Sequence, residues 1–481
     1  MSVNAKLQSR VDGIINELTV SQEILNKGVD FFIKSAEKGL DNKDNDPYGL
    51  PMIPTYVTSI PTGKERGVLL AADLGGTNFR VCSVSLNGDH TFIIKQEKNP
   101  IPVDLMSANS LDELFEYLAK KIGQFVNTHH GDQLSESKSD DNKLKLGFTF
   151  SFPVDQTSLD SGTLIRWTKG FNIEDCVGKD IVQLLQSHLD LLKIPVSVLA
   201  LANDTVGTLL SRAYSAGAVA GDKQGDTLVG AIFGTGTNGA YPELIDNIKK
   251  LPKNYVDELK SKGKTHMVIN TEWGSFDNHL EVLPTTKYDV EIDKISANPG
   301  YHMFEKRVSG MFLGEILRHI LVDLYREGLI LQQYRSYENL PHRLRTPWEL
   351  SSEILSYIEI DDSTLLKLSE LALLNALRLP TTHEERIIIQ QLTIAIAKRA
   401  AYLGAIPFAG LLLKTKALEG HNKEVDIGVD GSLVEFYPGF RAMLRDALSM
   451  TKVGNQGERR VHINIAKDGS GVGAALCTLS D

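Results

Sequence analysis

The sequence predicts an α/β protein built from a duplicated unit, and two observations carry that expectation. Strand-like and helix-like stretches alternate along the 481 residues, which is the pattern of an α/β architecture. Two distant segments also share one plan. "GVLLAADLGGTNFRVCSV" and "TLVGAIFGTGTNGAY" each read as an apolar strand, a Gly/Thr/Asn turn and an apolar continuation, with Thr77-Asn78 aligned on Thr237-Asn238. In the first copy Phe79, Val81 and Ser83 alternate with Arg80, Cys82 and Val84, the two-residue period of a strand.

The elements follow in order. Residues 11–39 read as helical through Val11, Ile14, Ile15 and Leu18, with a second start at Ser21. "DNKDNDPYGLPMIP" then breaks the pattern with Asp, Asn, Pro and Gly. From Gly67 to Ser85 the chain reads strand, glycine turn, strand. A polar loop is expected at 129–143, a strand at 144–150, a helix at 181–192 and a strand at 196–201. Residues 215–226 read as a flexible insertion. The region 300–420 reads as mainly helical, and Thr382 and Glu385 stand at capping-box spacing.

Composition narrows the function classes. Apolar content of 42%, charge of 23% and a net charge of −10 are those of a soluble globular protein without a polyanion-binding surface, so no nucleic-acid partner is expected. Cys82, Cys176 and Cys477 are scattered and odd in number, which suits a reducing compartment. "MSVNAKLQSR" has no apolar core of a secretory signal, and the longest apolar stretch, Ala400 to Leu413, is short for a bilayer. A cytoplasmic protein, monomer or homodimer, with no membrane partner is the expectation.

"GAIFGTGTNGAY" contains a G-x-G-x-x-G at Gly234, Gly236 and Gly239. A dinucleotide site needs a helix to open there, and Pro242 opposes one. The alternative is a β-hairpin tip whose backbone N–H groups face a phosphate. The first tip, Asp73 to Arg80, follows the same logic, and Asp73 at the strand end could hold Mg2+ through water. An ordinary turn remains the bland reading of that segment. A third glycine turn, Gly428, Asp430, Gly431 and Ser432, lies between a strand and a helix and suits a ribose or phosphate; a structural turn is the alternative. "KDGSGVGAAL" resembles a dinucleotide turn but leaves no room before Asp481 for the ribose-binding acid.

Polar residues in apolar surroundings supply the remaining candidates. Asn203-Asp204 ends an apolar strand and is either a helix N-cap or a carboxylate at a ligand-binding edge. Ser151, Thr168, Lys169, Glu272 and Glu305 could each be a cap or a surface ion pair. Together they form a kit of carboxylates, hydroxyls and an ammonium suited to a polyhydroxyl compound.

These residues lie in "LLAADLGGTNFRVCSV", "LGFTFSFPVDQTSLDSGTLIRWTKGF", "NDTVGT", "FGTGTNGAY" and "EWGSFDN", and through them nearly the whole chain resembles the fungal hexokinase family, its glucokinases above all. The resemblance implies two duplicated α/β domains of the actin/Hsp70/sugar-kinase, ribonuclease H-like type around a deep cleft. A small domain would hold 70–203 plus 459–481, and a large one 1–69 plus 204–458. The implied activity is ATP-dependent phosphorylation of glucose at its 6-hydroxyl. Asp204 would be the general base and Lys169 a cation on the phosphoryl group. Ser151, Thr168, Lys169, Asn203, Asp204, Asn238, Glu272 and Glu305 would surround the sugar. Asp73, Gly75, Gly76, Thr77 and Asn78 would form one phosphate segment, Gly234, Thr235, Gly236 and Thr237 the other, and Gly428 to Ser432 the adenosine segment. The implied partners are glucose or a related hexose, ATP and Mg2+. Fructose and mannose stay open as further substrates. A sugar-sensing protein on the same fold competes, but Asp204, Asp73 and both glycine turns are intact.

Overall fold

A computed structural model describes residues 3–41, 46–76, 78–108, 110–136, 143–152, 154–167, 171–218, 225–420 and 423–480, without the side chains of 132–136. Thr77, Thr168 and Lys169 lie outside the described residues. Two amphipathic helices open the chain, α1 (Ala5–Leu18) and α2 (Gln22–Asp41), and the Ser21 hydroxyl accepts from the Ile24 N–H near the start of the second. A short strand β1 (Ile53–Pro54) follows.

The first sheet is built from β2 (Arg66–Leu74), β3 (Asn78–Asn87), β4 (Phe92–Pro100) and β5 (Leu144–Phe150). A separate hairpin, β6 (Val154–Ser158) with β7 (Ser161–Leu164), precedes its last strand, β8 (Val196–Ala202). The order is β4-β3-β2-β5-β8; β3 runs antiparallel to both neighbours, and β5 runs parallel to both of its own. The second sheet takes β9 (Asp226–Phe233), β10 (Thr237–Leu244), β11 (His266–Asn270), β12 (Val425–Asp430) and β13 (Val461–Ile465) in the order β1-β11-β10-β9-β12-β13. There β10 is antiparallel to β9 and β11, while β12 is parallel to β9 and β13. Apart from β1, the two sheets have the same order and the same directions. The duplication read from two short segments therefore extends over five strands.

Parallel neighbours need long crossovers, and helices provide them. Leu111–Glu136 and Ile181–Leu191 serve the first sheet; Asp204–Ser215 leads from β8 into β9. The expected loop at 129–143 is helical as far as Glu136, with the regular helix interrupted at His130, where φ is −137°. Polar composition alone suggested a loop, but polar residues also make solvated helix turns. The helix His383–Lys414 starts with the capping box: the Glu385 N–H donates to the Thr382 hydroxyl at 3.2 Å, and the Thr382 N–H donates to Glu385 Oε2 at 2.7 Å. This helix contains Ala400 to Leu413, and at 32 residues it is long and apolar enough to cross a bilayer. Its most apolar window is 89% buried within the fold, against α2 and the helix Phe440–Met450, so its apolarity belongs to the core of the second lobe.

Strand pairing divides the chain differently from the expected boundary at 459. β13 joins the second sheet, because the edge of β12 offers it a parallel partner. The crossing back to the first lobe comes later. The helix Ala474–Cys477 packs on β2, β5 and β8, so closely that a side chain on Gly147 would lie 1.9 Å from the Ala474 carbonyl oxygen.

Candidate active site

Both glycine turns are β-hairpin tips. β9 passes into β10 through Gly234, Thr235 and Gly236, with Thr237 paired to Phe233. Pro242 lies inside β10, opposite Val268, so no helix opens after the glycines and the dinucleotide reading falls away.

The Asn203-Asp204 pair resolves into two roles. The Asn203 side chain accepts from the Thr205 N–H at 2.9 Å and is the N-cap of the helix Asp204–Ser215. Asp204 is the first helical residue; its Oδ1 shares that N–H at 2.8 Å, and the side chain is exposed. The capping task belongs to the neighbour, and a carboxylate is left at the positive end of a helix. The helix itself is held from behind by "KDGSGVGAAL". A side chain on Gly207 would lie 2.2 Å from the Gly469 carbonyl oxygen, and one on Gly473 would lie 2.1 Å from Gly207 Cα. These glycines serve close packing behind Asp204 rather than a nucleotide.

Around Asp204 the second lobe places a ring of amides and carboxylates. Asn238 Nδ2 donates to Asn270 Oδ1 at 2.9 Å, to Glu272 Oε1 at 3.2 Å and to the Thr205 hydroxyl at 3.0 Å. Asn270 Nδ2 also donates to Glu272 Oε1, at 2.8 Å. Glu305, at the start of the helix Glu305–Val308, accepts the Thr237 N–H on Oε2 at 3.0 Å and meets His302 Nδ1 on Oε1 at 3.2 Å. Burial raises the pKa of Glu272; the Asn270 bond opposes the shift, and the charges of Asp204 and Glu305 add to it. Glu272 thus feels the charges of both other acids.

The first lobe contributes the facing wall. Asp73 is the penultimate residue of β2, two before Gly75, and a side chain on that glycine would lie 3.6 Å from Asp73 Oδ1 and 3.8 Å from Ser151 Oγ. Burial raises the Asp73 pKa, Arg80 opposes it, and the charge of Asp204 raises it further. Arg80 lies 3.7 Å from Asp73 and 2.9 Å from Asp468, and it donates to Ser470 Oγ at 2.5 Å. Trp167 and Phe171, which flank Thr168 and Lys169 in sequence, stack at 5.3 Å with Phe152 against both.

The third turn meets the second hairpin tip. Gly431 has φ +109°, and a side chain there would lie 2.6 Å from the Phe233 backbone, so only glycine fits the approach. Thr235, Met311, Tyr357, Ser432 and Phe436 line an open hollow of about 550 Å³ beside it. Asp430 bonds the Gly431 N–H at 2.6 Å, and burial raises its pKa. Gly428 is elsewhere: it is buried within β12, where a side chain would lie 2.5 Å from Arg212 Cβ. Thr237 is likewise committed, its N–H to Glu305 and its hydroxyl to Trp273 Nε1 at 3.0 Å, and it links the turn to the carboxylate pocket. Asn78 begins β3, on the exposed side of the first turn.

The sequence reading missed Asn270, Thr205, His302 and the Arg80–Asp468–Ser470 group. The signal for Asn270 was present: an amide closing the apolar run "MVIN" is a buried polar group that needs partners.

Two sheets of one topology, joined through the helix Asp204–Ser215 and the C-terminal segment, define a two-lobed α/β kinase of the actin and sugar-kinase type. Family comparison narrows the class. Hexokinase family models match residues 10–214 and 228–480, and the chain belongs to the hexokinase family. It is 58% identical to Glucokinase-1 of Saccharomyces cerevisiae over 98% of this chain and 96% of the relative, and 47% identical to a glucokinase of Aspergillus niger over 94% and 93%. Among solved structures, the Schistosoma mansoni hexokinase complexed with glucose matches with a TM-score of 0.79 at 35% identity, covering 99% of both chains.

Proposed function

We propose that this chain transfers the γ-phosphoryl group of ATP to the 6-hydroxyl of glucose, with Asp204 as the general base. The observation that carries the reading is the position of Asp204. It is exposed at a helix start beside Thr205, whose hydroxyl accepts from the Asn238 amide that also donates to Glu272, and its charge raises the pKa of Asp73 in the other lobe. The glucokinase relatives and the glucose-complexed hexokinase support the sugar.

The division of labour follows from the geometry. Glu272, Glu305, Asn203 and Asn238 hold the sugar hydroxyls, since a carboxylate with a free lone pair on each oxygen accepts from two donors at once. Asp204 accepts the proton of the 6-hydroxyl as that oxygen attacks phosphorus. The first hairpin tip presents backbone N–H groups to the phosphates, the second brings Thr235 to the nucleoside hollow, and by family resemblance Lys169 adds a positive charge. The hollow beside Ser432 and Phe436 takes the nucleoside.

The residues fit Mg2+ as a companion of the nucleotide. Among the described residues no group of three His, Cys, Asp or Glu side chains could cage a metal. A single carboxylate beside a glycine turn is the usual protein share for Mg2+, which keeps waters and phosphate oxygens as its other ligands. Asp73 would be that carboxylate, holding the ion through water, and bound Mg2+ would neutralise phosphate charge. Because the pocket is shared between lobes, sugar binding draws them together and keeps water from competing as acceptor.

A coupled assay tests the proposal. ATP with glucose yields ADP and glucose 6-phosphate in equal amounts, with no demand for a nicotinamide cofactor by the chain itself. Absence of sugar phosphate, with the protein folded, contradicts it.

A further inference from the structure

Glu305 is held on both oxygens, and the two restraints differ in kind. Oε2 accepts a backbone N–H from Thr237, which any sequence with this hairpin would supply. Oε1 faces His302 Nδ1 at 3.2 Å, a side chain contributed three residues earlier, from a residue whose carbonyl accepts the Lys306 N–H in the turn that leads into the Glu305 helix. The charges of His302 and Glu272 act on each other, the imidazolium lowering the Glu272 pKa and the carboxylate raising that of His302. Lys306, the nearby cation, is turned away, bonded to Asp293 at 2.7 Å and to the Asn298 carbonyl at 2.8 Å. His302 is thus a side chain of the same lobe that can bring a positive charge beside Glu305. Its side chain is 37% exposed, so its proton exchanges with solvent.

We propose that His302 is a positioning residue for the sugar: it fixes Glu305 against the Thr237 amide and, when protonated, balances Glu272 and Glu305, so glucose affinity depends on it while phosphoryl transfer does not. This inference rests on the reading of the pocket as the sugar site. With Oε1 bonded to the ring and Oε2 to the backbone, the carboxylate keeps one lone pair per oxygen for hydroxyls and holds one orientation. Without the ring it can rotate, and sugar binding must then include the cost of fixing it.

The charge makes the effect proton-linked. Three charged groups act on the imidazole: the bonded Glu305 and the opposing Glu272 raise its pKa above the usual 6.5, while Lys306 and partial burial lower it. The sign follows. At lower pH the imidazolium makes a charge-assisted bond to Glu305 and offsets both carboxylates. As pH rises through the raised value, the ring keeps at most one N–H toward Glu305 and loses the charge, so the glucose KM rises on the alkaline side.

The test is steady-state kinetics of the full chain from about pH 6 to about pH 9, with glucose and ATP each varied. His302→Ala is expected to raise the glucose KM by roughly tenfold or more, with kcat within about threefold and the ATP KM unchanged. His302→Asn, whose amide nitrogen overlies Nδ1 but does not titrate, should recover most of the affinity and flatten the pH profile of the glucose KM. An unchanged KM in the alanine variant, or a wild-type pH profile in the asparagine variant, overturns the proposal. If alanine prevents folding, the asparagine profile decides alone. Loss of kcat and of both KM values together would assign His302 a scaffold role, also overturning it. A wild type that makes no glucose 6-phosphate overturns the proposed function, and this inference with it.

Discussion

The turn between β2 and β3 and the turn between β9 and β10 follow one plan, yet their surroundings differ. In the second, the Gly234 N–H donates to the Gly236 carbonyl at 2.9 Å, and the Gly234 and Thr235 carbonyls accept from the Gly310 and Met311 N–H groups at 2.8 and 3.2 Å. A side chain on Gly236 would come within 2.7 Å of Glu305 Oε2. In the first, a side chain on Gly76 would meet no atom within 4 Å, and Gly75 is exposed. Its anchoring lies behind it, through Asp73, Arg80 and Asp468. The second turn is therefore a platform joined to Glu305. The first is tied to the C-terminal segment, and in the proposed function it is the turn that meets phosphate. Equal motifs do unequal jobs because the lobes pack differently behind them.

That contrast predicts graded effects. Gly236→Val is the most severe: the valine would displace Glu305, so kcat/KM should fall by about a hundredfold or more and glucose binding should weaken as well. Gly76→Val should raise the ATP KM by roughly tenfold and leave glucose binding within about twofold, because the intruding side chain meets only the space for phosphate. Titrating each variant with glucose by tryptophan fluorescence separates the two. Equal loss of both ligands in both variants would erase the proposed asymmetry. Arg80→Met, a smaller change, removes the link between Asp73 and the C-terminal segment while keeping bulk. A rise of about threefold to tenfold in the ATP KM, with the glucose KM unchanged, is expected. A matching rise for glucose would mean that the network supports the whole cleft rather than the first turn.

What the sequence disclosed was local in origin. The alternation from Phe79 to Val84, the capping pair Thr382 and Glu385, and the placement of Pro242 after the glycines concern residues near one another in the chain. Each took the structure its pattern implied. The carboxylates Asp73, Asp204, Glu272 and Glu305 were legible as acids at strand ends or helix starts. What could not be read was contact across the fold. Asn270 becomes part of the site only when β11 lies beside β10, and Arg80 finds Asp468 only after the chain has crossed the second lobe and returned. The sheet that takes β13 is equally non-local, since β13 looks like any short apolar strand until the edge of β12 claims it.

The assignment of Asp204 as base, with Asn203 as cap, is tested most directly by Asp204→Asn. The helix keeps its cap, so the variant should melt as the wild type does, and glucose should still bind, because an amide can bond the hydroxyl. An amide cannot take the proton, so kcat should fall by roughly 10² to 10⁴. A variant that melts normally, binds glucose and hardly turns over is the predicted result. Wild-type turnover in a folded Asp204→Asn protein would contradict the account.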